Sequence, residues 1–475
     1  MKKTFLPAHF FCFLFSALFL YGISGCSGSG SGDESSGLDT GLDNGVGDDT
    51  GSGVGVPEAY HYVRADAAGN NDGSDWENAW TELPVLLERQ HAYYIADGTY
   101  PVYQFDDAED GDRTIFIIKA TESDHGTDSG WNASYGDSQA IFSAHGGDGC
   151  AVTISSSYWS INGQTGSGGR DYGFKFTADE DVDYVVCVED PSWSNTVFHD
   201  IRLSYFEIQH RGTDIMYQGD VKSGRGFYVH SQAAMQDSSL SHCYIHDTPG
   251  ISIYYSGATQ NNLIEYCIVA RNHSDAAWHG EGIQSGSEAD NNIVRFSIWE
   301  DIEGTAVIVG KNGWQVYGNL FYYTTDYPHA GQSGSGVGMG IFTGLSNNKV
   351  YNNTVYGLTG TNAAFSLAND DTGNEIYNNM WVNSARLRFT GEHTSMDANY
   401  IFNCMDVGFM DSIVDDHFQT GTVDPFIDST AYNFHLNAAT DAGLSLTAPY
   451  NTDMSGSTRG SDGNWDRGAY EYSDN

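Results

Sequence analysis

From Leu240 onward the sequence keeps returning to one eight-residue pattern. "LSHCYIHD" begins at Leu240, "IEYCIVAR" at Ile264, "VRFSIWED" at Val294 and "VYGNLFYY" at Val316. "VYNNTVYG" follows at Val350, "IYNNMWVN" at Ile376 and "MDANYIFN" at Met396. The start-to-start spacings are 24, 30, 22, 34, 26 and 20 residues, a mean of 26. A unit of this length cannot bury its own apolar side and must stack on its neighbours, which makes the chain a solenoid.

The fourth position of each unit holds Cys243, Cys267, Ser297, Asn319, Asn353, Asn379 and Asn399. Small or amide side chains, one per coil, suit a stacked turn, because Asn tolerates left-handed backbone and bonds to the Asn above it. Between these units lie further short apolar segments, among them "GISIYYSG" at Gly250, "GIQSGSEA" at Gly282, "GTAVIVGK" at Gly304 and "GMGIFTGL" at Gly338. No segment keeps a helical period for three turns, and the spacing is too short for propeller blades. The reading is all-β: a parallel β-helix of two or three short strands per coil. Weaker versions near Tyr93, Ile115, Ile141 and Val152 extend one domain over residues 58–475, including a C-terminal cap.

The N-terminus is organised differently. Lys2 and Lys3 precede an apolar run, and "ISGC" closes it at Cys26. This has the form of a signal peptide over residues 1–26, and it resembles the lipobox of bacterial lipoproteins. That resemblance implies a lipid on Cys26 holding the chain to a membrane, and Ser27 resembles the sorting signal for an outer membrane. Residues 27–57 are a Gly/Ser/Asp tract that cannot form a core and reads as a flexible tether.

The formal charge of −43 argues against a nucleic-acid partner. Between Asp200 and Tyr400, 10 Lys and Arg face 20 Asp and Glu, so only −10 of that charge lies in the middle of the chain. Cys150, Cys187, Cys243, Cys267 and Cys404 show neither zinc spacing nor a clear disulfide framework. Cys243 and Cys267 stack by register and are expected as buried thiols, with a disulfide as the alternative.

"YHYVRADAAGNNDGSDWENAWTEL" with "AYYIADGTY", and the closing "VDPFIDSTAYNFHLNAATDAGL" with "DRGAYEY", carry a family likeness. They resemble secreted right-handed parallel β-helix proteins of the pectate-lyase-like superfamily. The resemblance implies that single-stranded solenoid over nearly all of the mature chain. It does not settle the chemistry, since the same fold carries several activities.

Coil length points to a site, because extra residues must leave the stack as loops. From the fifth residue of a unit to the next short segment, Ile268–Gly282 spans 14 residues and Leu320–Gly338 spans 18, while the other coils span 5 to 9. Two long loops at one corner flank the short Val294 coil and would wall a cleft. They carry His273, Trp278, His279, Tyr327 and His329. Glu281 and Glu303 each precede a glycine, Gly282 and Gly304, and are expected in one column, with Arg225 two coils below Glu281.

Three chemistries fit such a cleft. A lyase removing the C5 proton of a uronic acid needs a base, for which His279, His273 or Lys311 qualify. It also needs a cation at the sugar carboxylate, from Arg271 or from a Ca²⁺ ion held by Glu281, Asp301 and Glu303. A glycoside hydrolase would pair Glu281 with Glu303 or Asp301. A binding protein would use Trp278, Trp299, Tyr327 and His329 as sugar platforms. His242 and His246 fall in the regular part of a coil and read as structural. The expectation is a monomeric, surface-anchored protein acting on an extracellular polysaccharide by β-elimination, with hydrolysis or binding alone as the alternatives.

Overall fold

A computed structural model describes residues 55–146, 148–164, 172–179, 181–210, 224–272, 280–286, 288–302, 306–324, 342–344, 346–357, 365–367, 372–384, 387–389, 393–409 and 413–473. Among these, three long parallel sheets of twelve, twelve and nine strands run the length of the molecule. The chain is a right-handed parallel β-helix. One coil illustrates the path. Ile293–Arg295 lies in the first sheet, Ile298–Ile302 in the second and Ile308–Val309 in the third, and Gln315–Tyr317 then returns to the first.

The repeat unit read from the sequence is therefore two strands bent at its fourth residue. Its first residues pair across coils without a slip: Leu240 with Ile264, Ile264 with Val294, and Val294 with Val316. Val316 then pairs with Val350, Val350 with Ile376, and Ile376 with Met396. Alternation within each strand sends Ile264, Val294, Val316 and Val350 into one continuous core.

The bend is held by the expected column. Asn319, Asn353, Asn379 and Asn399 are buried, and each side-chain oxygen accepts the backbone N–H of the residue one coil before it, at 2.9–3.0 Å. Their amide nitrogens donate to core-strand carbonyls such as Val294 and Val316. A second amide column precedes the first sheet. Asn262 accepts from Ser238 N–H, Asn292 from Asn262, Asn348 from Trp314 and Asn374 from Asn348. Buried backbone groups at both bends are thus satisfied by side chains.

Cys243 and Cys267 are buried free thiols in the first column. Cys150 and Cys187, by contrast, form a disulfide over the third sheet. The sequence spacing of 37 residues hid this pairing, which depends on two coils meeting edge to edge.

The C-terminal segment folds back. Phe426–Asp428 and Asn433–Leu436 form an antiparallel pair whose Phe426, Phe434 and Leu436 bury against Leu320, Met380, Val382 and Tyr400 on the outer face of the second sheet. Ala469 N–H donates to Thr354 on the same face, and Arg467 donates to the Asn399 carbonyl. This cap leaves the N-terminal half of that face uncovered by the pair.

Candidate functional site

On the open half of the second sheet, the strands Phe174–Ala178, Phe206–His210, Tyr244–His246 and Ile268–Asn272 stack in parallel. Phe174, Phe176, Ile208, Ile245 and Val269 point into the core. Alternation turns Lys175, Glu207, Gln209, Tyr244 and His246 outward. One residue after His246 and Ala270, which pair, the backbone turns left-handed at Asp247 (φ 51°) and Arg271 (φ 50°), setting these two on adjacent rungs.

The outward side chains form one continuous network. Lys175 Nζ donates to Glu207 Oε1 at 2.8 Å and to Gln209 at 2.7 Å, while Gln139 Nε2 donates to Glu207 Oε2 at 2.9 Å. His246 lies between two carboxylates, its Nε2 2.9 Å from Glu207 Oε1 and its Nδ1 2.6 Å from Asp247 Oδ2. Arg271 Nη2 also lies 3.2 Å from His246 Nδ1. Arg271 donates to Asp247 Oδ1 through Nε at 2.8 Å and to Oδ2 through Nη2 at 2.9 Å. The same Nη2 donates to the Tyr244 hydroxyl at 2.8 Å. The Tyr244 and His246 rings stack with centroids 3.9 Å apart, which fixes both.

Burial pushes the Glu207 carboxyl upward, but hydrogen bonds from His246, Lys175 and Gln139 prevail and bring it to about 2. Burial is likewise overcome at Asp247 by His246 and Arg271, leaving it at about 2. Asp247 in turn holds Arg271 firmly cationic against the effect of burial. Both carboxylates are therefore ionised at neutral pH, so neither can act as the proton donor of a glycoside hydrolase.

The exposed edge is cationic. Lys175 and Arg271 keep 21% and 29% of their side-chain surface, against 12% for Glu207, 8% for Asp247 and 5% for His246. Arg271 Nη1 carries no hydrogen bond among the described residues. Lys175 uses two of its three N–H groups within the network.

Of the residues expected from the sequence, Arg271 is the one that belongs to this cluster. Trp299 is a correction: it sits second in its strand, so alternation buries it in the core, stacked on Phe321 and beneath Gly282. Asp301 is buried, and both its oxygens accept from Thr324, Oδ1 from the N–H and Oδ2 from the hydroxyl, each at 2.7 Å. Burial raises it to about 6 despite those bonds. Glu281 is buried and accepts the Gly280 N–H. Lys311 follows the strand Ile308–Val309, at the corner between the third and first sheets, away from the strand ends that carry Arg271.

Of the expected carboxylate column, Glu281 is described and Glu303 is not. Ile283 pairs with Ile308, and its N–H donates to Val307, so the place beneath Glu281 falls to Ala306. Arg225 does share the Glu281 position two coils earlier, because Phe227, Ile253 and Ile283 pair in line. Of the set expected to hold Ca²⁺, Glu281 and Asp301 are described and both are buried. Among the described residues no three His, Cys, Asp or Glu side chains gather to hold a metal. His273, Trp278, His279, Glu303, Tyr327, His329 and Cys26 lie outside the described residues.

Lys175, Glu207, Tyr244, His246 and Asp247 were not expected from the sequence. Their signal is polar side chains at outward positions of aromatic-rich strands, as in "FKFTA", "FEIQH" and "YIHD". Only coil-to-coil register turns that pattern into a cluster.

No protein-family model matches the chain, and no curated protein matches it. Several solved structures do. A pectate lyase, Pel9A, aligns over 89% of this chain and 98% of its own at 10% identity, with a TM-score of 0.49. An alginate lyase from Paenibacillus sp. str. FPU-7 aligns over 70% of this chain and 93% of its own at 14% identity and a TM-score of 0.42. The PL6 family alginate lyase AlyGC aligns over 71% of this chain and 51% of its own at 12% identity and a TM-score of 0.36. Similarity at this level carries no residue role or substrate to this chain, whose fold rests on the strand pairing above.

Proposed function

We propose that the protein is a polysaccharide lyase acting by β-elimination on a uronic-acid-containing polymer. The observation that carries the reading is a cationic opening in a chain of net charge −43. Lys175 and Arg271 are the exposed members of a network whose anions lie beneath them. A uronate carboxylate would meet Arg271 Nη1 and the remaining Lys175 N–H, where cations offset the charge that develops as the C5 proton leaves.

Tyr244 is the base in this reading. Its hydroxyl oxygen accepts from Arg271, so negative charge on that oxygen is stabilised beside the group that binds the substrate. As the phenolate, Tyr244 takes the C5 proton, the electron pair of the C–H bond forms the C4–C5 double bond, and the oxygen at C4 leaves with the proton that the Tyr244 hydroxyl returns to it. Glu207, His246 and Asp247 are positioning residues: they hold Lys175 and Arg271 in place without touching the sugar. Glycoside hydrolysis is disfavoured at this cluster because its two carboxylates are held ionised.

We extend the proposal to location: a lipid on Cys26 and the tether of residues 27–57 would hold the enzyme at the cell surface. Release of a Cys26→Ser protein into the medium would support that part, and retention on the cell would count against it. The activity is tested by incubating the chain from residue 27 onward with pectate, alginate and chondroitin. Unsaturated sugar ends support elimination, whereas new reducing ends without unsaturation contradict it.

A further inference from the structure

We infer that the enzyme attacks its polymer from a chain end, because the C-terminal antiparallel pair covers Tyr322, two rungs beyond the reactive cluster on the same face. This inference rests on the lyase reading of that cluster. The outer face of the second sheet offers one side-chain row per coil, and the rows lie roughly 4.8 Å apart along the solenoid axis. The reactive rows run from Lys175 through Glu207 and His246 to Ala270, with Arg271 at the row's end.

The next row, Ile298 and Glu300, already belongs to the covered half. Ile298 packs against the C-terminal cluster, and Glu300 accepts from the Tyr322 hydroxyl at 3.0 Å. Tyr322, one row further, lies under two rings of the antiparallel pair, Tyr432 at 5.5 Å and Phe434 at 5.3 Å between centroids. Leu320 in the same row, and Thr354, Met380, Val382 and Tyr400 beyond it, are all buried. A polymer laid along the face would therefore stop at the Tyr322–Tyr432 stack, with the cleaved bond near its end. On the other side Ile141 and Thr99 occupy the rows before Lys175, and Thr99 is exposed. Sugar units can extend that way.

Tyr432 is the specificity-determining residue of this arrangement. Its backbone is left-handed at φ 58°, a conformation glycine adopts without penalty, so Tyr432→Gly removes the ring and spares the turn. The test follows solution viscosity and unsaturated ends together on the polymer that the wild type degrades. Chain-end attack predicts short unsaturated products from the first time points and a viscosity that falls only in proportion to mass consumed. Tyr432→Gly is expected to lengthen the early products and to give a several-fold larger viscosity loss per bond broken. Long oligomers and an early viscosity collapse with the wild type would overturn the inference while leaving the lyase reading intact. Product lengths unchanged in an active, folded Tyr432→Gly variant would overturn the role of the stack. Absence of unsaturated ends on every polymer overturns both readings.

Discussion

Arg271 grips Asp247 through two N–H groups, Nε at 2.8 Å and Nη2 at 2.9 Å, across neighbouring coils of the solenoid. The fork fixes the guanidinium plane and leaves Nη1 without a hydrogen bond among the described residues. Lysine keeps the charge but cannot make the fork or reach Tyr244 with the same group. Arg271→Lys is therefore expected to lower kcat/KM by about 100-fold through misplacement alone. Initial rates and melting temperature measured together check this. A rate near wild type would show that the fork has no catalytic role.

The two depressed carboxylates set an acid limit on stability. Glu207 and Asp247 sit at about 2 in the folded chain, below the roughly 4 of an unfolded chain. Their contribution is complete above the unfolded value and is lost as pH falls from about 4 toward 2. Melting temperature followed over that range should drop steeply for the wild type. The drop should be shallower for the double variant Glu207→Gln, Asp247→Asn. Parallel curves would remove these groups from the acid transition.

Asn353 tests what holds the bends. It accepts from Asn319 N–H and Nδ2 and donates to the Val316 carbonyl and Asn379 Oδ1, all buried. Asn353→Ala leaves several of these groups without partners, at about 1–3 kcal/mol each. Denaturant unfolding should register a loss of more than about 2 kcal/mol. An exposed control whose backbone is not left-handed, such as Asn70→Ala, should cost far less.

The first column was readable because one residue type recurs at one place in a visible unit. The second column was missed, although it leaves a mark in the pairs Asn261-Asn262, Asn291-Asn292 and Asn347-Asn348, where the first Asn is left-handed and the second enters the ladder. The reactive cluster was harder. Lys175, Glu207 and His246 are separated by 32 and 39 residues, and the first two fall in coils whose repeat is weak. Loop length drew attention to the corner that Arg271 occupies, but side-chain alternation decided which residues face outward there, and it buried Trp299.

The disulfide offers a separate check. Cys150–Cys187 closes a loop of 37 residues, and its loss is expected to cost about 2–4 kcal/mol. Reductant should lower the melting temperature of the wild type and leave a Cys150→Ser, Cys187→Ser protein unaffected. Equal sensitivity of both would show that the bond does not contribute.

The central claim is that Lys175 and Arg271 supply the cations of an elimination reaction. The direct measurement is the ultraviolet absorbance of unsaturated ends formed from a uronate polymer, with and without chelator, by the wild type and by Lys175→Ala, Arg271→Ala and Lys311→Ala. Wild type and Lys311→Ala should generate the signal in either condition, and Lys175→Ala and Arg271→Ala should lose it while remaining folded. Full activity in Arg271→Ala, or activity that survives only without chelator, would contradict the account.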